Sequence, residues 1–343
     1  MSIDCDVTFH SGWWHKNAGV CFNRDFFYNS DYRLEADMKM RRVIYDKFGD
    51  LGLGEENPQP RPILGSDLIA LGFLHSEILG CEVRYSDSNP PGVICKNLSD
   101  DEVSELKPPI LCEIDVWQKT IKQADELLKK YGYVNPCVNL MGIQNIAMDL
   151  RGQELFIDYY ENPSLAHHLL EICTRLSIEM GRGFRKFSSA VSAGVTGIVK
   201  QVLPDVYLTS NCSVEMVSLE TYNEFLLPYD NMLAEEFTPF GIHHCGKSTE
   251  HVADGYARCK NLKFVEAGAY SDIYEVRRAL PDIHINARYS PVALKTATTS
   301  EIKETIADIL LKGKPIDLLS VSCVGIDAET SDDKVRDFLI ACK

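Results

Sequence analysis

Residues 240–286, FGIHHCGKSTEHVADGYARCKNLKFVEAGAYSDIYEVRRALPDIHIN, decide the fold. Short apolar runs at 240–245, 264–267 and 283–286 are separated by stretches of helical spacing at 249–259 and 272–280. Strands of this length alternating with helices specify a parallel sheet, because each helix carries the chain back to start the next strand in the same direction. The alternation extends both ways. On the N-terminal side it includes a helix over 117–131 that ends in Lys129, Lys130 and Gly132, and a strand over 136–141. A helix opened by Asn162-Pro163-Ser164 follows, then a strand over 207–212 and a helical stretch over 218–237 interrupted near Pro228. On the C-terminal side come a helix over 300–311 and a strand over 318–324. Seven or eight such units without a dinucleotide-binding glycine fingerprint predict an α/β fold of the (β/α)8 TIM-barrel type, with an open doubly wound sheet as the alternative.

The N-terminal part reads differently. It is turn-rich, with Pro58, Pro60, Pro62, Pro90 and Pro91, and crowded with Phe9, Trp13, Trp14, Phe22, Phe26, Phe27, Tyr28 and Tyr32. Residues 1–65 are expected to form an aromatic-rich extension, helical over 36–48, covering a barrel of residues 66–343 within one structural domain.

Bulk properties narrow the function. A formal charge of −15 over 343 residues disfavours nucleic acid and acidic lipid as partners, since both would repel it. No run of ~18 apolar residues predicts a membrane span, and no apolar leader follows Met1. A cytoplasmic protein is therefore expected, with its 12 cysteines reduced and free to bind metal.

Gly241-Ile242-His243-His244-Cys245-Gly246 carries the chemistry. It lies where a strand enters a loop, and in barrels the C-terminal strand ends hold the active site. Side chains at i and i+2 of a strand point the same way, so His243 and Cys245 face one ion while His244 faces away. A second strand end, Ser320-Val321-Ser322-Cys323-Val324-Gly325, offers another thiol. One imidazole and two thiolates suit tetrahedral zinc with one position left for a substrate, so His243, Cys245 and Cys323 are the expected ligands. The bland alternative makes both cysteines ordinary buried side chains and His243 a satisfied core histidine.

The stretches 240–247 and 320–339 resemble the zinc sites of cobalamin-dependent methyltransferases in the uroporphyrinogen decarboxylase superfamily. Residues 142–152, 219–228 and 291–294 resemble further segments of that family, with Ile143 and Leu219 where the family has proline. At the second element Val324 splits the Cys-Gly pair and the following proline is absent. The family's N-terminal Arg-rich decarboxylase motif is missing. Residues 10–15, 52–55, 207–214 and 241–246 look most like the methyltransferase I component of bacterial O-demethylases.

The resemblance implies a zinc-dependent enzyme that moves a methyl group from a small aromatic methyl ether to the Co(I) cobalamin of a separate corrinoid protein. On that reading Trp13, Trp14 and Phe27 wall the ring, His10, Asn145 and Asn211 supply polar contacts, and Glu215 is a general acid or fourth ligand. Cys212 is an alternative ligand, Glu266, Arg288 and Tyr289 end two further strands, and a homodimer is compatible with everything above. The competing readings are methyl transfer from methylcobalamin to a thiol, a metal-free decarboxylase-like lyase, and a non-catalytic metal- or corrinoid-binding module.

Overall fold

The computed structural model describes residues 3–189 and 197–343. Eleven strands occur among them: β1 (Asp4–Phe9), β2 (Ile63–Gly65), β3 (Glu82–Arg84), β4 (Gly92–Ile94), β5 (Asn135–Cys137), β6 (Leu140–Met141), β7 (Tyr207–Ser210), β8 (Phe240–His243), β9 (Leu262–Ala267), β10 (His284–Tyr289) and β11 (Leu319–Ile326). Seven form one parallel sheet in the order β1-β11-β10-β9-β8-β7-β6. Beyond β6 the same run of chain, as β5, pairs in parallel with β2. The sheet therefore curls through eight positions, the ring of a (β/α)8 barrel. Among the described residues no ladder joins β1 to β2, and Asp6, Arg61, Asp67 and Lys200 line the gap. β3 and β4 form a separate antiparallel hairpin.

The helices that cover the sheet follow from their sequence. In Asp115–Tyr131, Val116, Trp117, Thr120, Gln123, Ala124 and Leu127 are buried, a stripe at helical spacing, and Gly132 ends the helix in the left-handed conformation at φ 80°. Each large apolar side chain so buried contributes about 1.5–3 kcal/mol. Pro163–Arg185 starts with proline in its first turn. The interruption expected near Pro228 is a π turn at Tyr222–Leu226, after which Leu227–Glu236 resumes as α-helix. The helix expected over 249–259 shrinks to Ala253–Tyr256. No described helix is long and apolar enough to cross a membrane.

The expected N-terminal extension needs correction. Its first strand, β1, is a member of the barrel sheet, paired with β11 from Asp4↔Ser320 to Phe9↔Ile326. Trp13 and Trp14 are 1% and 0% exposed, and Phe9 stacks on Trp13 at 3.9 Å between ring centroids. These rings are core rather than cover, because burying an aromatic side chain against the sheet gains more than leaving it as a flap in water. The helix expected over 36–48 spans Ser30–Phe48.

Register fixes which side chains look into the ring. Ser210 pairs with His243, His243 with Glu266, Glu266 with Asn286, and Asn286 with Ser320. Asn286 Nδ2 donates to Ser322 Oγ at 2.9 Å and Ser320 Oγ donates to Asn286 Oδ1 at 3.1 Å. This polar belt is the inward face of the barrel. Residues one position out of phase, such as Val321 and Cys323, face the helices.

Candidate metal centre

β7 and β8 place three metal-binding side chains together. Ser210 and His243 are register partners on the inward face, and Cys212 and Cys245 each lie two residues further toward the C-terminal mouth. Ligand atoms of Cys212, His243 and Cys245 all lie within 4.8 Å of one another. His243 is buried, Cys212 half-buried and Cys245 exposed, so the cluster opens toward the mouth of the barrel. His244, out of phase as expected, turns away, and its Nδ1 lies 2.7 Å from Tyr256 Oη.

Behind the cluster, His243 Nδ1 lies 2.7 Å from Glu266 Oε2, and Glu266 is wholly buried. A carboxylate there holds the Nδ1 proton and leaves Nε2 as the metal-facing nitrogen, the arrangement usual for histidine ligands. Burial alone would lower the His243 pKa, but the Glu266 carboxylate and the Cys245 thiolate overcome it and raise it to about 9. A hydrogen bond from Cys212 lowers the Cys245 thiol's pKa against the effect of burial, and His243 and Arg288 lower it further. Cys212, as the donor in that pair and itself desolvated, is raised. Both shifts favour a thiolate at Cys245 beside a protonated imidazole at His243 when no metal is bound. Two sulfurs and one nitrogen with a carboxylate behind the imidazole fit a zinc ion, and three protein donors leave a fourth position for a small molecule.

Neighbouring side chains brace the ligand loops. Asn145 Nδ2 donates to Ser210 O at 2.9 Å, and its Oδ1 accepts from Ser213 N at 2.9 Å. Asn211 Nδ2 and Tyr222 Oη both donate to Asp230 Oδ2, each at 2.8 Å. Glu215 Oε2 accepts from Lys247 N at 2.6 Å, joining the loops after β7 and β8. A Cβ on Gly268 would strike the carbonyl of Gly246, so only glycine lets the β9 loop lie against the loop of Cys245.

Of the expected ligands, the structure brings His243 and Cys245 together and leaves Cys323 out. Cys323 lies on β11, three strands from β8, paired with Tyr289 and Val7 and out of phase with Ser320 and Ser322. It faces the C-terminal helix, whose Cys342 feels its charge, and burial raises its pKa. Cys212 is the second thiol of the donor cluster. The expected general acid Glu215 is committed to the Lys247 backbone and lies outside the donor cluster. Asn145 and Asn211, expected on substrate, instead hold the Cys212 loop. His10 caps the helix Ser11–Ala18, accepting from Gly12 N at 3.1 Å. Trp13 and Trp14 are core, and Trp14 Nε1 donates to Leu68 O at 3.2 Å. Phe27 packs edge-on against Phe73 at 4.8 Å and lines a small apolar cavity bordered by β2, Asn139 and Thr120. Glu266 and Arg288 carried no assigned role in the sequence, although Glu266 lies near the end of β9 beside β8 and Arg288 near the end of β10, one strand further.

Comparison with known proteins follows the same lines. The chain is 23% identical over 278 residues to a methylated-thiol–coenzyme M methyltransferase of Methanosarcina mazei, a match spanning 79% of this chain and 70% of the relative. Its fold is similar to the solved structure of a methyltransferase from Methanosarcina mazei, with a TM-score of 0.70 at 15% identity, covering 99% of this chain and 93% of the other. Residues 72–343 match the family described as uroporphyrinogen decarboxylase (URO-D), and the chain belongs to that family.

Proposed function

We propose that this protein is a methyltransferase that binds one zinc ion through Cys212, His243 and Cys245. On this reading it moves a methyl group between a heteroatom of a small molecule and the corrinoid of a separate protein. The single observation that carries the proposal is the convergence of these three donors at the barrel mouth with Glu266 behind His243. Zinc bound there supplies Lewis acidity at a sulfur or oxygen atom in the fourth position. The chain's own residues do the rest. Glu266 fixes the imidazole, Asn145 and Asn211 hold the Cys212 loop, and Glu215 ties that loop to the one bearing Cys245. Fixing the loops pre-sets the donor geometry, so little reorganisation accompanies binding. The exposed side of Cys245 leaves the open position reachable by a partner's cofactor from the barrel mouth.

Sulfur is the heteroatom we favour, supported by the methylated-thiol activity in the name of the relative from Methanosarcina mazei. Aryl methyl ether demethylation rests on the resemblance alone, since Trp13 and Trp14, expected to wall an aromatic ring, are sealed in the core. The test is methyl exchange between a corrinoid protein and either methylated thiols or methoxylated aromatics, followed by the corrinoid absorbance. Exchange that needs zinc and fails in Cys212→Ser supports the proposal. Full activity after chelation, or no exchange with either class, would refute it.

A further inference from the structure

Arg185 and Arg288 are both part-buried with an Nε that makes no hydrogen bond among the described residues, but Arg185 lies over the Phe237 ring, whereas Arg288 has the inward phase of the barrel sheet. Arg33 donates to Ile63 O, Phe26 O, Phe27 O and Gln123. Arg151 donates to Asp158, Asp100 and Leu98 O. Arg277 donates to the carbonyls of Gly313, Leu280, Ile283 and Leu318. Each donates from at least two of its guanidinium nitrogens to the fold, although Arg33 Nη2 makes no hydrogen bond among the described residues, because leaving a buried cation's donors unmade costs more than the desolvation of a neutral group. Arg288 has a side chain only 10% exposed, yet its one ionic neighbour among the described residues is Glu266, with Nε 3.5 Å from Oε1. That Nε makes no hydrogen bond among the described residues. If Arg288 served only as counter-ion to Glu266, the two would form a bidentate pair at about 2.7–2.9 Å. Instead Glu266 turns its other oxygen to His243 and leaves the fork unused.

The position of the fork gives it a use. Arg288 shares the inward phase of β10 with Asn286 and pairs in register with Ser322, one pleat nearer the barrel mouth than the Asn286–Glu266 pair. Its charge reaches the thiols of Cys212, Cys245 and Cys323. Two strands from β8 and on the inward face, it is a guanidinium with donors to spare on the side of the sheet that carries His243.

We propose that Arg288 binds a carboxylate on the substrate, so that the small molecule is a short bifunctional one: sulfur or oxygen at the metal, carboxylate at Arg288. This rests on the methyl-transfer reading for the heteroatom end alone. The planar fork matches a carboxylate edge to edge, which a lysine ammonium does not.

Binding to the zinc-loaded protein tests this without any methyl transfer. Calorimetry would compare 3-mercaptopropionate with 1-propanethiol, and 4-hydroxybenzoate with phenol. The expected result is a preference of about tenfold or more for the carboxylate member of at least one pair. Arg288→Gln is expected to bring that pair within about threefold while zinc stays at one per chain, and Arg288→Lys to retain part of the preference. No preference in either pair with the unmodified protein, or a preference that survives Arg288→Gln, overturns the assignment. Because the unmodified protein is itself compared, a folding defect in the variant leaves the first criterion intact. Arg288-dependent binding without methyl exchange would sink the methyl-transfer reading alone, and methyl exchange without a carboxylate preference would sink Arg288 alone.

Discussion

Replacing Glu266 by Gln is the most direct probe of the centre, because it removes the charge behind His243 with almost no change of shape. Glu266 is wholly buried and its Oε2 lies 2.7 Å from His243 Nδ1. The amide is nearly isosteric, but it no longer enforces one tautomer, since it can present either a donor or an acceptor to Nδ1. Losing such an outer carboxylate weakens metal affinity by roughly 10–100-fold, or about 1.4–2.7 kcal/mol. A second effect acts on folding. Arg288 loses its carboxylate neighbour among the described residues, Nε to Oε1 at 3.5 Å, with its side chain 10% exposed. Breaking a fully buried pair costs about 3–5 kcal/mol, and a pair at this longer distance and partial exposure belongs below that range. The double variant Glu266→Gln/Arg288→Gln separates the two effects. It is expected to recover part of the stability, since no lone charge remains, while zinc affinity stays weak. Competition with a chromophoric chelator reads affinity, and urea melts of the metal-free protein read stability. A zinc Kd for Glu266→Gln within about twofold of the parent would refute the placement of His243 as an oriented ligand.

Two cysteines give opposite expectations. Cys212→Ser is expected to lose stoichiometric zinc with little change in the metal-free fold, whereas Cys323→Ser keeps zinc at one per chain and destabilises by about 1–3 kcal/mol through a buried hydroxyl; metal analysis and melts of both decide it. Gly268→Ala is expected to push the loop of Cys245 away, since its Cβ meets the Gly246 carbonyl, and to weaken zinc binding by about tenfold or more, read by the same competition. His75 is fully buried, neither ring nitrogen finds a hydrogen bond among the described residues, and burial lowers its pKa from 6.5 to about 3. The folded state therefore excludes a proton that the unfolded state takes up below pH 6.5, so stability falls as pH drops through that value, by about 2 kcal/mol at pH 5. His75→Leu is expected to remove that part of the pH dependence, and equal slopes in urea melts at pH 7.5 and 5 for parent and variant would contradict it.

The barrel was legible because its signal is local. Strand and helix alternation, Pro163 at a helix start and Gly132 at a helix end each act within a few residues, and all appear where expected. The pairing of His243 with Cys245, and the opposite aim of His244, followed from strand alternation in the same way. The third member of the donor cluster was not local, since it depends on how β7 registers against β8. Ser210 opposite His243 places Cys212 level with Cys245, and no property of residues 207–214 taken alone states that register. Glu266 was hidden for the same reason: it faces His243 only because β9 pairs beside β8 with His243↔Glu266.

That Cys323 lies outside the donor cluster has a different origin, and a sign of it was present in the sequence. A thiol near the end of a strand shares its face with the residues two positions away. For Cys212 that neighbour is Ser210, which belongs to the polar row Ser210, His243, Glu266, Asn286 and Ser320. For Cys323 it is Val321, while Ser320 and Ser322 hold the other face and bond Asn286 across the belt. In a barrel whose inward belt is polar and whose helix-facing side is apolar, the company a cysteine keeps at i−2 states which side it is on. Cys245 passes the same check through His243, its i−2 neighbour and fellow ligand. Cys137, which ends β5 with Asn135 at i−2, passes the check too, so the check narrows the candidates and the register of β7 on β8 selects Cys212 and Cys245, whose convergence on His243 the metal-content variants above put at risk.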